Sequence, residues 1–301
     1  MNETKYRVAE DKFWQSANLK RSEHWVELKS TGTRVRVQES GEGQPVLLIH
    51  GGPNSGSTWV PLVEHMTGFR CLLVDRPGTG LSEQYPVRAD NLPAFGASFV
   101  GEVLGGLGLE QAKVVASSFG GHIALRSAAS HPEHITRMVQ FGAPVLVPGD
   151  RLPPFMKWIA KWWVRKILNV LPPNERAGKS IMRQIGHGYS IDHNLLPPEH
   201  DAWYLAMQKY TDTNKNDGDL VGSVIANYER LRLTEQLFAG VPTPTLFIWG
   251  EDDGFGGADV ANGITNAMPK AELVLQPNSG HLPWLDAPAR CAQLTSDFLN
   301  Q

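Results

Sequence analysis

The stretch VVASSFGGHIAL, residues 114–125, joins a β-branched run to two adjacent serines and a pair of glycines. This order predicts a buried strand that turns sharply into a helix and presents a serine at the turn. Because the reactive residue of such a turn has a strained backbone, the residues two places before and after it must be small. Around Ser118 these places hold Ala116 and Gly120, whereas the preceding serine has bulky valine and phenylalanine there. The stretch therefore predicts Ser118 as a nucleophile.

Short apolar runs recur along the chain and predict a sheet of eight strands. They are WVEL (25–28), RVRVQE (34–39), VLLIH (46–50), CLLVD (71–75), KVVAS (113–117), MVQFG (138–142), TLFIWG (245–250) and ELVLQ (272–276). The first two alternate as half-exposed antiparallel strands do, and the later ones are continuous, as in a parallel sheet covered on both faces. Helix-like stretches separate them at 57–67, 92–108, 119–130, 258–268 and 286–300. This alternation predicts an α/β fold with a mostly parallel, doubly wound sheet.

One segment, residues 148–233, carries no strand signal and breaks this alternation. It contains aromatic and basic helical patterns, and further helices are predicted around 174–186 and 198–210. We therefore predict a core made of residues 1–147 and 234–301, with an all-helical cap inserted after the sixth strand. Because ligands bind at the carboxyl ends of the strands in open α/β sheets, a cap inserted there would form a lid.

Two loops predict the partners that a serine nucleophile needs. Serine reacts poorly until a base takes its proton, and that base must be oriented by a third group. The strand TLFIW continues as GEDD, which places Asp253 at the strand end, and the strand ELVLQ continues as PNSGHLPW, which presents His281. The order serine, aspartate, histidine is the one expected on this kind of sheet. Asp252 directly precedes Asp253 and stays open as an alternative acid.

Two backbone N–H groups are predicted to stabilise the negative oxygen of a tetrahedral intermediate, as an oxyanion hole. The residue after the nucleophile, Phe119, supplies one of them. The loop HGGP (50–53), after the third strand, supplies the other, and Gly52 is the expected donor. Glycine in this loop lets the backbone approach the substrate closely.

Five motifs together resemble the α/β-hydrolase superfamily: HGGPNSG (50–56), DRPGTGLS (75–82), ASSFGG (116–121), WGEDD (249–253) and SGHLPW (279–284). The resemblance spans about residues 25–147 and 234–301 and leaves the cap unmatched. It implies a serine hydrolase that works through an acyl-enzyme and uses no metal or organic cofactor. It also implies that DRPGTGLS is a structural loop.

Within this superfamily the sequence favours some branches over others. Haloalkane dehalogenases and epoxide hydrolases carry an aspartate where this chain has Ser118. Proline iminopeptidases share the HGGP loop, but Asn54 and Ala116 depart from their pattern. A carboxylesterase that acts on apolar small molecules is the leading hypothesis. A carbon–carbon bond hydrolase, a proline-iminopeptidase-like enzyme and a ligand sensor without turnover stay open as alternatives.

The residues expected to contact the substrate lie in the oxyanion loop, the cap and the histidine loop. They are Gly51, Phe155, Met156, Trp203, Met207 and Trp284. The cap also carries Trp158, Trp162 and Trp163 among basic residues. We interpret these tryptophans as an apolar roof over the pocket, in preference to a membrane-facing lid.

The composition limits the partners of the protein. A net charge of −3 over 301 residues gives no electrostatic case for nucleic acid or an anionic membrane. The polar N-terminus lacks the apolar stretch of a signal peptide, and two cysteines suggest no disulfide framework, so a cytoplasmic protein is expected. HPEH (131–134) has no evident third metal ligand, and DTNKNDGD (212–219) is interpreted as a polar turn, so no metal site is expected. The expected partner is a small-molecule ester, and a homodimer stays open.

Overall fold

The computed structural model describes residues 1–168 and 173–301. Its strands are β1 (Ser22–Leu28), β2 (Thr33–Ser40), β3 (Gln44–Ile49), β4 (Phe69–Val74), β5 (Ala112–Ser117), β6 (Ile135–Phe141), β7 (Thr245–Gly250) and β8 (Ala271–Gln276). They form one sheet in the order β1-β2-β4-β3-β5-β6-β7-β8. The pairs β1/β2 and β2/β4 are antiparallel, and the other pairs are parallel. The predicted α/β class, with a mostly parallel eight-stranded sheet, is confirmed.

Helices cover both faces of this sheet. They are α1 (Glu3–Ser16), α2 (Val60–Val63), α3 (Leu92–Gly106), α4 (Ser118–Ser130), α5 (Pro154–Ile159), α6 (Trp162–Leu168), α7 (Glu175–Gln184), α8 (Gly188–Asp192), α9 (Pro198–Tyr210), α10 (Thr213–Ile225), α11 (Tyr228–Leu231), α12 (Glu235–Ala239), α13 (Ala258–Ala267), α14 (Pro283–Asp286) and α15 (Pro288–Leu299). None of the helices that the structure describes combines the length and the hydropathy needed to cross a bilayer.

The parallel strands β5 to β8 bring the predicted chemical residues to one edge of the sheet. These four strands are neighbours and run in the same direction, so their carboxyl ends open together. Ser118 follows β5 directly, Asp253 follows β7 by three residues, and His281 lies in the loop after β8. The fold therefore gathers three residues that are far apart in the sequence.

Two apolar cores lie on opposite faces of the sheet because alternate residues of each buried strand point to opposite sides. On β3, for example, Leu47 and Ile49 belong to one core, and Val46 and Leu48 belong to the other. The first core includes α3, α4 and α13, and the second includes α1, α2 and α15. Both faces are covered, which explains why these strands are continuously apolar.

The N-terminal helix α1 was not predicted, because its sequence is polar and its few apolar residues are spread thinly. Tyr6, Phe13 and Trp14 on this helix are nevertheless fully buried. The buried Glu10 accepts two hydrogen bonds from Arg36 on β2, at 2.6 and 3.0 Å. Pairing of buried charges of this kind cannot be found from local hydrophobic patterning, which is why this helix was missed.

The segment between β6 and β7 contains helices α5 to α12 and, among the residues that the structure describes, no strand. The helices predicted around 174–186 and 198–210 are α7 and α9. The polar turn predicted at 212–219 is wrong, since Asp212 is the N-cap of α10 and the residues after it form the first half of that helix. Its buried face includes the polar residues Thr213, Asn216 and Asp217, which explains why the stretch looked like a solvent-exposed turn.

Candidate active site

Ser118 occupies the sharp turn between β5 and α4. Its φ angle is +52°, in the left-handed region that non-glycine residues rarely adopt, while Ser117 is extended with φ −144°. A side chain at Gly120 would collide with the carbonyl oxygens of Ile49 and His50, so only glycine fits two places after Ser118. The strain that the sequence pattern requires is therefore present at Ser118 and absent at Ser117.

The side chain of His281 is bonded to Asp253. His281 Nδ1 lies 3.0 and 2.9 Å from the two carboxylate oxygens of Asp253. The same oxygens accept hydrogen bonds from the backbone N–H groups of Phe255 and Ala143, each at 2.9 Å. Asp252 is exposed and does not take part in this contact. The geometry thus fixes one acid of the GEDD loop against the imidazole and leaves its neighbour in solvent.

Residues 142–145, just after β6, connect the serine to the acid. The N–H of Val145 donates to the carbonyl of Ser118 at 3.4 Å, and the N–H of Ala143 donates to Asp253. His281 Nε2 is buried and has no hydrogen-bond partner among the described residues, so Ser118 is not bonded to it. Hydrogen bonds between a base and its nucleophile are often long without substrate and tighten when the site is occupied.

The HGGP loop lies directly against the nucleophile. A Cβ placed on Gly51 would come within 2.7 Å of the Ser118 Cβ. Phe119 is the second residue of α4, in the first turn, where backbone N–H groups have no partner within the helix. The glycine loop and the N-terminus of α4 therefore border the same space beside Ser118.

Arg76, in the DRPGTGLS loop, holds the HGGP loop in place. Its Nε donates to the carbonyl of His50 and its Nη2 to the carbonyl of Gly51, both at 3.0 Å. The same Nη2 donates to Asp217 of cap helix α10 at 2.7 Å, and the guanidinium lies 5.0 Å from the ring of Phe119. This single side chain thus contacts both predicted oxyanion elements and the cap.

Two titratable side chains around Arg76 have shifted pKa values. Burial, together with the positive charge of Arg76, lowers the pKa of His50 well below its usual range. A neutral His50 can donate from Nδ1 to the carbonyl of Gly51 (2.6 Å) and accept the Arg76 N–H at Nε2 (3.2 Å). Burial raises the pKa of Asp217, and the ion pair with Arg76 opposes that rise. The loop is therefore held by buried polar contacts on both sides.

The cap also holds the loop that carries the histidine. The N–H of Gly280 donates to Asp286 Oδ2, and the N–H of His281 donates to the carbonyl of Ile185, both at 2.9 Å. A side chain at Gly186, whose φ is +99°, would collide with the backbone of the acid loop and approach that of the histidine loop. This part of the cap is therefore packed between the loop that carries Asp253 and the loop that carries His281.

A second histidine–aspartate pair completes this contact. The N–H of Leu282 donates to His187 Nε2 at 3.1 Å, and His187 Nδ1 lies 2.9 Å from Asp286. Ser190 Oγ also donates to Asp286. Three consecutive backbone N–H groups, 280 to 282, are thus bonded by Asp286 and by the cap segment 185–187.

Several residues expected to contact substrate lie elsewhere. Trp203 is fully buried, stacks on Phe13 of α1 at 5.1 Å and donates to the hydroxyl of Tyr6. Met207 is buried in the same core, and Trp284 is buried against Trp59, with ring centroids 4.2 Å apart. These three side chains fill the core between helices, so their expected role as substrate contacts is wrong. Their aromatic or apolar character reflects core packing.

The remaining substrate candidates stay compatible with a role at the site. Gly51 adjoins Ser118, whereas Phe155 and Met156 are half-buried on the cap and pack against the first core. His122 is excluded as a base because both ring nitrogens are occupied, by the carbonyl of Val145 and by Arg126. Burial lowers the pKa of His122 to about 3.

The described residues offer one cluster with metal-ligand atoms close together. His131, Glu133 and His134 place such atoms within 4.8 Å of one another. Glu133 is thus the third group that the HPEH sequence was expected to lack. His131 and Glu133 are exposed, and the cluster lies in the turn before β6. The cluster is therefore at the amino end of β6, whereas the candidate active site is at the carboxyl ends of the strands.

Four polar residues around the site were missed from the sequence: Arg76, His187, Asp217 and Asp286. Arg76 lies within a motif that was assigned only a structural role, and Asp286 follows the SGHLPW motif by two residues. The position of these two residues in or beside a motif could have indicated that they lie near the site. His187 and Asp217 lie in the cap, where no local pattern indicates which buried partner a polar side chain will meet.

Comparisons with known proteins agree with this architecture. The sequence pattern of the alpha/beta hydrolase fold family matches residues 44–288. A 2-hydroxy-6-oxononadienedioate/2-hydroxy-6-oxononatrienedioate hydrolase from Paraburkholderia phymatum is 28% identical over 288 residues, which are 92% of this chain and 95% of that protein. A 2-hydroxymuconate semialdehyde hydrolase from a Pseudomonas species is 26% identical over 282 residues, which are 91% and 93% of the two chains.

Solved structures share the fold over nearly the whole chain. The carboxylesterase CesB from Bacillus subtilis has a TM-score of 0.77 at 21% identity, and 99% of this chain and 98% of that one are covered. A 2-hydroxy-6-oxo-6-phenylhexa-2,4-dienoate hydrolase from a Rhodococcus species has a TM-score of 0.74 at 16% identity, with coverage of 94% and 100%. At these identities the likeness concerns the fold alone.

Proposed function

The chain belongs to the α/β-hydrolase fold family, and on that basis we propose that it is a serine hydrolase that cleaves carboxylic esters of apolar small molecules. One observation carries the proposal: the imidazole of His281 is bonded to Asp253 through Nδ1 while its Nε2 has no protein partner among the described residues. An imidazole in this state is ready to accept a proton from a nearby hydroxyl.

The proposed reaction has two steps. Ser118 Oγ attacks the ester carbonyl and transfers its proton to His281 Nε2, and Asp253 stabilises the imidazolium. The intermediate collapses, and the alcohol leaves with that proton, so that an acyl-serine remains. Water then attacks the acyl group with His281 as base, which releases the acid and restores Ser118. The N–H groups of Gly52 and Phe119 stabilise the oxyanion in both steps.

A carbon–carbon bond hydrolase is the second candidate, because relatives that align over most of the chain carry that activity in their names. The substrate in the first of these names is a dicarboxylate, which would need a cationic partner. Arg76, which contacts the oxyanion loop, is paired at 2.7 Å with the buried Asp217. Because Asp217 already balances the charge of Arg76, this pair supports an uncharged substrate over a dicarboxylate.

A series of p-nitrophenyl esters from acetate to laurate tests the proposal by steady-state kinetics. We expect repeated turnover with a preferred acyl length, and a fall in kcat/KM of about 10⁴-fold or more in Ser118→Ala. Ser117→Ala is the matched control. Its hydroxyl is buried without a protein partner in the described residues, so we expect kcat/KM within about twofold of wild type.

Two results would contradict the ester proposal. A folded wild-type protein that turns over no ester, but hydrolyses a 2-hydroxy-6-oxo-dienoate in a Ser118-dependent manner, would favour the carbon–carbon candidate. A protein that binds such ligands without turning over either class would favour the ligand sensor.

A further inference from the structure

Three tryptophans of the cap are exposed to solvent. The exposed fractions of Trp158, Trp162 and Trp163 are 55%, 63% and 45%, and Ile167 is also exposed. These values contradict the interpretation of the tryptophans as an apolar roof over the pocket, since a roof would bury them. Large exposed apolar side chains that are close together mark a surface that binds something.

Lysines alternate with these apolar side chains. Within residues 157–167 every exposed residue is a tryptophan, an isoleucine or a lysine, and we call these exposed residues the Trp–Lys face. Lys161 Nζ lies 4.5 Å from the ring centroid of Trp158 and 6.0 Å from that of Trp163, and Lys166 Nζ lies 4.8 Å from Trp162. The charges and rings therefore lie in contact in two groups, one around Lys161 and one around Lys166.

The Trp–Lys face lies on α5 and α6 and the short link between them, and the opposite side of these two helices is attached to the rest of the cap. Arg165 Nη1 donates to the carbonyls of Ile159 and Ala160, at 3.0 and 2.6 Å. The Nε of Arg165 lies 3.4 Å from Asp219 on α10, and its side chain packs against Gly222 of that helix. Because the inner side is fixed on α10, the Trp–Lys face is held outward.

The charge of this segment is one-sided. Residues 151–174 contain five basic residues and no aspartate or glutamate, although the whole chain has a net charge of −3. Arg151 and Arg165 are paired with Asp259 and Asp219. Lys161 and Lys166 of the Trp–Lys face, in contrast, contact tryptophan rings, and all three lysines of the face are exposed, so their charge is displayed on the surface.

We propose that the Trp–Lys face docks on the surface of a bilayer that contains anionic phospholipids. Tryptophan has an amphipathic ring that suits the headgroup region, and lysines attract anionic lipids. The cores of protein–protein interfaces are, by comparison, depleted of lysine. The alternation of lysine with exposed tryptophan therefore fits a lipid surface better than a second copy of this chain.

Sedimentation of the full chain with sucrose-loaded vesicles tests this proposal. Vesicles of phosphatidylcholine with phosphatidylglycerol should bind the protein, whereas vesicles of phosphatidylcholine alone should bind it at least tenfold more weakly. Exchange of Lys157, Lys161 and Lys166 for glutamine should lower the partition coefficient roughly 100-fold, at about fivefold for each lysine. Added salt should weaken binding in the same direction.

The tryptophans are tested separately, with a matched control. Trp158→Ser combined with Trp162→Ser should reduce vesicle binding by tenfold or more. Trp25→Ser removes a tryptophan of similar exposure, 43%, from β1 and should leave vesicle binding unchanged. Thermal unfolding of each variant verifies that the fold is retained. Ser118→Ala should bind vesicles as wild type does, so this test is independent of the proposed catalysis.

Three results would overturn the proposal. The first is wild-type protein that fails to bind anionic vesicles at low salt. The second is binding that falls equally in the Trp25 variant and in the Trp158/Trp162 variant. The third is a dimer, measured by light scattering after size exclusion, that dissociates in the Trp158/Trp162 variant, which would assign the face to a contact between copies.

Discussion

Two histidine–aspartate pairs lie side by side in this molecule and have nearly the same geometry. His281 Nδ1 lies 2.9 Å from an oxygen of Asp253, and His187 Nδ1 lies 2.9 Å from an oxygen of Asp286. All four side chains are buried, apart from small residual exposure. Each aspartate also accepts a hydrogen bond from a backbone N–H: Asp253 from Ala143, and Asp286 from Gly280. Distance and burial alone do not separate them.

The two pairs differ in the hydrogen bonding of the second ring nitrogen of each histidine, Nε2. His187 Nε2 accepts the N–H of Leu282, so both nitrogens of this imidazole are occupied by the protein. His281 Nε2 has no partner among the described residues, and the loop of His281 follows β8 at the edge of the sheet where Ser118 follows β5. A ring nitrogen whose lone pair already accepts a backbone N–H is not available to accept the proton of a nucleophile. The first pair therefore fits the proposed catalytic role, and the second fits a role in positioning the histidine loop.

The largest expected effect comes from the first pair. Asp253→Asn keeps the size of the side chain but favours the wrong imidazole tautomer, so we expect kcat for the best ester to fall about 10³- to 10⁴-fold. KM should change little, because the acid does not touch the substrate. Steady-state kinetics on that ester measures both constants.

Thermal unfolding serves as the control for this variant. Asp253 also accepts N–H groups from Ala143 and Phe255, so some loss of stability is expected along with the loss of rate. A folded Asp253→Asn protein that loses less than tenfold in kcat would contradict the assignment of this pair to catalysis.

The sequence predicted the first pair and missed the second, and the reason is physical. Strand ends in a parallel sheet meet at one edge, so the strand pattern and the residue order expected on this kind of sheet predicted Ser118, Asp253 and His281 at one site, with Asp252 left open. The same logic predicted the eight strands within a few residues of their observed bounds. These features depend on backbone geometry, which local patterns report.

The parts that were not predicted depend on contacts between distant polar side chains. His187 meets Asp286 across 99 residues of sequence, and Arg76 meets Asp217 across 141. Trp203 was misassigned for a related reason: an aromatic residue on a cap helix can face either the pocket or the core. Here α1, which had no apolar pattern of its own, covers it. Whether Trp203 faces the pocket or the core is therefore decided by how α1 packs on the cap, and the local sequence does not indicate that packing.

An intermediate effect is expected from the second pair. His187→Ala removes the acceptor for Leu282 N–H and releases one anchor of the histidine loop. Because small misplacement of a catalytic group can cost about 100-fold in rate, we expect kcat to fall about 10- to 100-fold. The unsatisfied buried groups should also lower the free energy of unfolding by about 1–3 kcal/mol.

Kinetics and stability together test this positioning role. His187→Gln retains a side chain that can both donate and accept a hydrogen bond, so it should recover part of the lost kcat. If His187→Ala lowers the melting temperature but leaves kcat unchanged, the pair contributes only packing and the comparison between the two pairs fails.

The smallest effect is expected at the residue that competes with Asp253 in the sequence. The side chain of Asp252 is exposed. Its backbone N–H donates to the carbonyl of Ser279 at 3.0 Å, and a change of side chain leaves this contact in place. Asp252→Asn should therefore change kcat/KM by no more than about twofold, as surface substitutions usually do. A loss comparable to that of Asp253→Asn would mean that the acid loop rearranges when substrate binds, so that a carboxylate now in solvent moves to the imidazole. Since the cap segment at Gly186 packs against the carbonyl of this same residue, such a rearrangement would require the cap to move as well.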